Sequence, residues 1–320
     1  MISLPKGVKV ANYTDTENIT GTTAFLFEKP VLCSVDRRGG AFSTRQMDPL
    51  DYPHIVDRID AVVVSGGSAF GLRSADGVVE FIREKGRGFL LRGVNVPRVP
   101  TACIFDLLIG KPVSPSPSDV YKSCQNAKDY IEESGCVGAG TGATVGKIFG
   151  IKYSTKSGIG FEKQVHNGIE SFSAVCMNAF GEVLKEGNII AGPRESEKSK
   201  KFVRTLSVME KLANMNYSEY FSNTIVSVVI TNAILTKEEL RFLAAAVNSS
   251  LSTVVRPSHT PFDGDIAFFI SLEEKNASFP HLYSTVWHTV QKAAIDAVEK
   301  AKGIGGIPSS SEIISDCNSD

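Results

Sequence analysis

The strongest strand signal in the chain is Thr224-Ile-Val-Ser-Val-Val-Ile-Thr231, in which every residue but Ser227 is β-branched. Such a run suits a buried strand and little else. Asp60–Ser65, Ser171–Asn178 and Ile266–Ser271 read in the same way, as do Val8–Asn12, Thr22–Phe27 and Val31–Val35, with Glu28-Lys-Pro30 as a turn between the last two. Helical spacing follows Gly66-Gly67, where Leu72, Ala75, Val78, Val79 and Ile82 share one face. Further helices are expected from Ser118-Asp119 to Glu133, from Glu195 to about Asn214, and from Leu282 to Ala301. Thr236 and Glu239 form a capping-box pattern that opens another, running to about Ser250. Strands and helices alternate unevenly, with several strands adjacent in sequence. That favours an α/β (α+β) fold of mixed sheets flanked by helices over a regular doubly wound sheet. There is no internal repeat and no linker, so residues 1–320 are expected to form a single domain. The Gly-, Ser- and Asp-rich end, 303–320, is expected to be a mobile tail.

The charge balance narrows the partners. With 34 basic and 35 acidic side chains the formal net charge is −1, without the basic excess that nucleic acid or a membrane surface calls for. Apolar runs such as Ala61–Val64 and Phe242–Val247 fall far short of the roughly 20 residues that span a bilayer. The N-terminus lacks a basic stretch leading into an apolar core, so a cytoplasmic location is expected. Cys33, Cys103, Cys124, Cys136, Cys176 and Cys317 contain no Cys-x-x-Cys pair, and the histidines show no ligand spacing. Reduced thiols, no metal and no cofactor follow.

Glycine is abundant, at 28 residues, and clustered. Ser65-Gly-Gly-Ser68-Ala-Phe-Gly71 follows a strand and precedes a helix, but two residues separate Ser68 from Gly71, so the Gly-x-Ser-x-Gly elbow is not met. Gly138-Ala-Gly140-Thr141-Gly142-Ala-Thr-Val-Gly146-Lys147 resembles two phosphate loops. It follows a helix stop rather than a strand, Thr141 stands where a P-loop needs glycine, and Ile148 replaces Ser or Thr. Both clusters are therefore expected to be close-packed turns and backbone walls of a pocket, with Gly67, Ser68, Gly140, Thr141 and Gly142 beside a site. Asp263-Gly-Asp265 sets two carboxylates around a glycine, which suits a turn or the holding of an ammonium group.

Taken together, Ser65–Leu72, Val96–Pro100 with Phe105–Leu108, Val137–Thr144, Ala174–Glu182, Asn223–Thr231 and His259–Asp265 resemble, in order, the L-aminopeptidase/D-esterase family, which includes the β-peptidyl aminopeptidases. The likeness covers about residues 7–300. It implies a four-layer αββα sandwich of two mixed sheets flanked by helices, and a mechanism like that of N-terminal-nucleophile hydrolases. It implies self-cleavage between Asn223 and Thr224, giving an α chain of 1–223 and a β chain of 224–320. Thr224 is then the nucleophile and Asn178 an oxyanion-stabilising amide. Asp263 and Asp265 fall beside the nucleophile's amine. Some members have serine and glutamate at those two positions, and a tyrosine near Phe105 that contacts the acyl site.

The implied activity is that of an autocatalytically cleaved aminopeptidase or amidase, a hydrolase releasing small N-terminal residues from peptides, amides or esters. Its partners are a small peptide or amino-acid amide and further copies of itself, as a homo-oligomer of four or more, with no nucleic acid and no membrane. Two alternatives stand beside it. One is an acyltransferase of the related ornithine acetyltransferase type, whose usual Ala-Thr-Met-Leu cleavage context is absent here. The other is an unprocessed, non-enzymatic binding protein.

Overall fold

A computed structural model of the chain describes residues 1–50, 54, 56–211 and 223–317, with the backbone alone for 315–317. The site-bearing strands are β1 (Val8–Asp15), β2 (Thr20–Gly39), β3 (Arg58–Ser65), β4 (Thr101–Cys103), β5 (Ile159–His166), β6 (Ile169–Asn178), β7 (Thr224–Ala233) and β8 (Gly264–Lys275). They hydrogen-bond in the order β5-β6-β7-β8-β2-β3-β4, continued by the short edge strand Thr44–Arg45, while β1 pairs with the first half of β2. The β7–β8 and β3–β4 pairs are parallel and the other neighbours antiparallel, so the sheet is mixed.

One strand makes two layers out of this sheet. The expected turn at Glu28–Pro30 is a bend within β2, not a break. Pro30 has no N–H to give to a ladder, and the β2–β3 register shifts between Leu26 and Val31. Phe25, Phe27, Val31, Cys33 and Val35 all face the central core. On the other face, Ala24 and Leu26 pack with helices α1 (Ala75–Glu84) and α2 (Pro117–Gln125). Beyond the bend, Leu32 joins the layer of α3 (Lys237–Val254) and α4 (Phe279–Glu299). The four-layer αββα sandwich is thus present, but its two sheet layers are continuous through β2. Phe25 from one layer meets Phe172 of the other edge-on at 6.0 Å, and Phe161 stacks on Phe172 at 6.2 Å.

Local signals explain most element ends. Thr236 and Glu239 make both bonds of the capping box that starts α3. Ser116, rather than Ser118, caps α2. That helix stops at Gln125, short of Glu133, because Lys128 bridges to Val10 and Tyr130–Ile131 pairs with Ile2–Ser3. The expected helix from Glu195 is also absent over most of its length. Arg194 is drawn inward by the carbonyls of Lys152, Ser154 and Glu197, Arg194 bridges to Phe202, and only Thr205–Met209 is helical; 212–214 lie outside the described residues. The expected mobile tail is folded as far as Cys317: Ile307 and Ile313 are buried, and Ser309 and Glu312 start the helix Ser310–Cys317. Residues 318–320 lie outside the described set. Among the described residues no helix is long and apolar enough to cross a membrane. Cys33, Cys103, Cys124 and Cys176 are buried free thiols and Cys136 is partly exposed.

Phe172 joins the two layers and has no solvent exposure. Phe172→Ala is expected to cost about 3–5 kcal/mol in urea unfolding, the usual range for a deleted core aromatic.

Candidate active site

Strand register brings the distant site residues together. Thr224, the first residue of β7, lies directly opposite Asn178, the last residue of β6. On its other side, Asn223 bridges to Asp263, just ahead of β8. The Gly264 N–H donates to the Asn223 carbonyl at 2.9 Å, and the Thr224 hydroxyl donates to the same oxygen at 2.5 Å. Residue 264 must be glycine here, since a Cβ would sit 2.2 Å from the Ala41 carbonyl oxygen. Thr224 and Asn223 open onto a cleft of about 250 Å³ walled by Gly40–Ser43, Ser68, Cys103 and Phe105.

Asn178 is held in one orientation. Its Oδ1 accepts from Lys147 Nζ at 2.6 Å and from the Thr144 N–H at 3.2 Å, so Nδ2 is the donor end and reaches the Phe105 carbonyl at 3.3 Å. Burial pushes the Lys147 ammonium down to about 7, against the pull of Asp263 and Asp106.

The two carboxylates differ in use. Asp263 accepts from the Thr260 N–H and hydroxyl and from the Phe180 N–H. Burial, then the charge of Asp265, raises its pKa. Asp265 takes the Ile225 N–H on one oxygen at 2.7 Å and His259 Nδ1 on the other at 2.7 Å. Both therefore lie at the Thr224 end of β7, and Asp265 grips the peptide immediately after Thr224.

The expected pocket residues divide. Ser68 and Phe105 line the cleft; Gly67, Gly140, Thr141 and Gly142 are not among its lining residues. Ser68 has a left-handed φ of 52°, and the partner of its hydroxyl is Ser43 at 3.4 Å, not a base. Both glycine clusters close on one carboxylate instead. Asp106 accepts the Gly67 N–H and the Thr20 hydroxyl, each at 2.7 Å. A Cβ at Gly66 would lie 2.1 Å from Asp106 Oδ2, and one at Gly142 would lie 2.5 Å from Asp106 Cβ. Lys156, fully buried, donates to the carbonyls of Gly140, Ala143 and Ser157 and so fastens the second cluster from the far side.

Three residues were not singled out from the sequence: Lys147, Asp106 and His259. Lys147 carried a signal, a lysine inside a glycine-rich apolar stretch that fits no phosphate loop. Asp106 carried another, a carboxylate between Phe105 and Leu107-Leu108.

The model of peptidase family S58 matches residues 5–304, and the chain belongs to that family of hydrolases. An uncharacterised aminopeptidase of Mycobacterium leprae is 29% identical, over 90% of this chain and 84% of its own. A 6-aminohexanoate-oligomer endohydrolase from a Kocuria strain is 25% identical, over 84% of this chain and 74% of its own. Among solved structures, the L-aminopeptidase D-Ala-esterase/amidase of Ochrobactrum anthropi, described as a variant of the Ntn hydrolase fold, superposes with a TM-score of 0.69 at 18% identity. That match covers 96% of this chain and 90% of the other, and shows that the two share a fold.

The Asp106 clasp has a pH signature. Burial raises the carboxyl to about 6, opposed by the Gly67 and Thr20 bonds. The folded state therefore binds the proton more tightly than the unfolded chain, and the wild type loses stability as pH rises from about 4 to about 6. Asp106→Asn lacks this titration. Its urea midpoint is expected to move in its favour, relative to wild type, across that interval; a constant difference would contradict the assignment.

Proposed function

We propose that the protein is a self-processing aminopeptidase or amidase that cuts its own Asn223–Thr224 bond and then uses Thr224 as an N-terminal nucleophile. One observation carries this reading: the Thr224 hydroxyl lies 2.5 Å from the carbonyl oxygen of the preceding residue, and the Gly264 N–H is bonded to that same oxygen. A nucleophile and an oxyanion donor are thus gathered about one peptide bond, at the wall of a cleft.

The steps follow from these positions. Thr224 Oγ attacks the Asn223 carbonyl carbon while Gly264 N–H holds the developing oxyanion. The Thr224 nitrogen leaves as an amine and an ester links the two residues. Water hydrolyses the ester, leaving a carboxylate on Asn223 and a free α-amino group on Thr224. That amine, with an ordinary pKa of about 7.7–8.0, is poised to take the hydroxyl proton in each later turnover. Thr224 Oγ then attacks a substrate carbonyl, and Asn178, opposite Thr224 in the ladder, is assigned as the oxyanion donor through Nδ2; loss of such a donor typically costs about 10²–10³ in rate. The amine departs, and water releases the acyl group from Thr224. Asp263 and Asp265, buried beside Thr224, are the acids nearest the amine that self-cleavage frees, and their part is to hold it. One relative is named an uncharacterised aminopeptidase and another a 6-aminohexanoate-oligomer endohydrolase, names in line with this chemistry.

Thr224→Ala is expected to abolish hydrolysis of amino-acid p-nitroanilides, and Thr224→Ser to keep it. In the wild type the rate should climb as pH rises through about 8, where the amine loses its proton. Hydrolysis by Thr224→Ala would move the nucleophile elsewhere, with Ser68 the next hydroxyl in the cleft.

A further inference from the structure

His259 stands in the turn ahead of β8 with a left-handed φ of 56° and a side chain only 12% exposed. Its Nδ1 meets Asp265 Oδ2 at 2.7 Å and its Nε2 meets the Asn248 carbonyl, on α3, at 2.8 Å. Carboxylate and carbonyl are both acceptors, so each ring nitrogen must carry a hydrogen and the ring is an imidazolium. The His259 N–H adds a third bond, to Asp265 Oδ2 at 3.2 Å. Asp265 itself is wholly buried, and its other oxygen holds the Ile225 N–H.

We propose that His259 is a positioning residue: its imidazolium ties α3 to Asp265, and Asp265 in turn fixes the peptide after Thr224, keeping the nucleophile aligned. This rests on Thr224 being the nucleophile. The groups that face the pair set the balance. Burial works against the imidazolium, but the bond and charge of Asp265 and the Asn248 carbonyl outweigh it, and the pKa of His259 is raised. Arg38 on β2 opposes the imidazolium, and the charge of Asp265 helps to raise the pKa of the neighbouring Asp263. Asp36, also on β2, accepts from Asn248 Nδ2 at 2.8 Å and from Arg38 Nε at 2.8 Å, which holds Asn248 in place and ties up Arg38.

The sign follows from the donor count. Above its raised pKa the ring keeps one hydrogen and must give up one of its two partners. Asp265 then loses its counter-charge or its anchor to α3. Activity should therefore fall as pH rises through the raised pKa of His259, against the rise that comes from the Thr224 amine.

The test uses the full chain as wild type, His259→Gln, His259→Asn and Thr224→Ala. Self-cleavage is followed by intact mass, and kcat and KM on an alanine p-nitroanilide from about pH 6 to about pH 10. Glutamine reaches the Nε2 position and leaves Asp265 without its ring partner. Its kcat should drop roughly 10- to 100-fold, as expected for a lost charge-assisted hydrogen bond, with KM within about twofold. Asparagine puts its amide near the Nδ1 position and tolerates the positive φ, so it should lose less. Neither side chain titrates, so both variants should lack that fall. If the glutamine variant does not fold, the asparagine variant decides. A wild type without that fall, or variants that keep it unchanged, would overturn the role of His259. Activity in Thr224→Ala would instead overturn the nucleophile on which the proposal rests.

Discussion

The parallel pairing of β7 with β8 and the antiparallel pairing of β7 with β6 meet at one peptide bond. Thr224 is opposite Asn178 on one side, and Asn223 is bridged to Asp263 on the other. Everything in the site depends on this clamp. It sets the Thr224 hydroxyl and the Gly264 N–H on the same carbonyl oxygen, and it brings an amide, the lysine bonded to that amide and two carboxylates from three separate parts of the chain to its end of β7. A one-residue slip of β7 would turn Thr224 to the other face of the sheet, so the buried pattern of β7 guards the chemistry as well as the fold.

Behind the clamp stands a second buried centre. Asp106 draws two glycine-rich turns onto itself, and glycine is needed at Gly66 and Gly142 because the carboxylate occupies the space a side chain would take. Lys147 and Lys156 lie close by, stripped of water, with carbonyls and the Asn178 side chain as partners. Buried polar groups of this kind cost stability unless they are fully bonded. Their bonds here converge on the cleft wall, so the centre holds Ser68 and Asn178 in fixed positions around Thr224.

Much of the fold was legible because it rests on local patterns. A β-branched run marked β7, short apolar or alternating stretches marked β3, β6 and β8, and the Thr236–Glu239 box marked the start of α3. What was not legible depended on distant partners. Only the pairing of β2 with three neighbours shows that Glu28–Pro30 bends a strand instead of ending one. The charged stretch after Glu195 reads as an amphipathic helix, yet the carbonyls that draw Arg194 inward and its bridge to Phe202 override that pattern as far as Arg204. The site shows the same division. Ordered motifs pointed to Asn178, Thr224, Asp263 and Asp265. The glycine clusters were placed at a pocket wall, but their real partner, Asp106, is distant in sequence from both. His259 and Lys147 are joined to Asp265 and Asn178 by side-chain hydrogen bonds that no spacing rule encodes.

The central claim is that the clamped bond is the one the protein cuts. Intact mass and N-terminal sequencing of the purified wild-type protein test it most directly. The account predicts two chains, one ending at Asn223 and the other beginning at Thr224, and a single uncut chain for Thr224→Ala. A wild-type chain that stays whole on prolonged incubation, or one cut at any other bond, would contradict it.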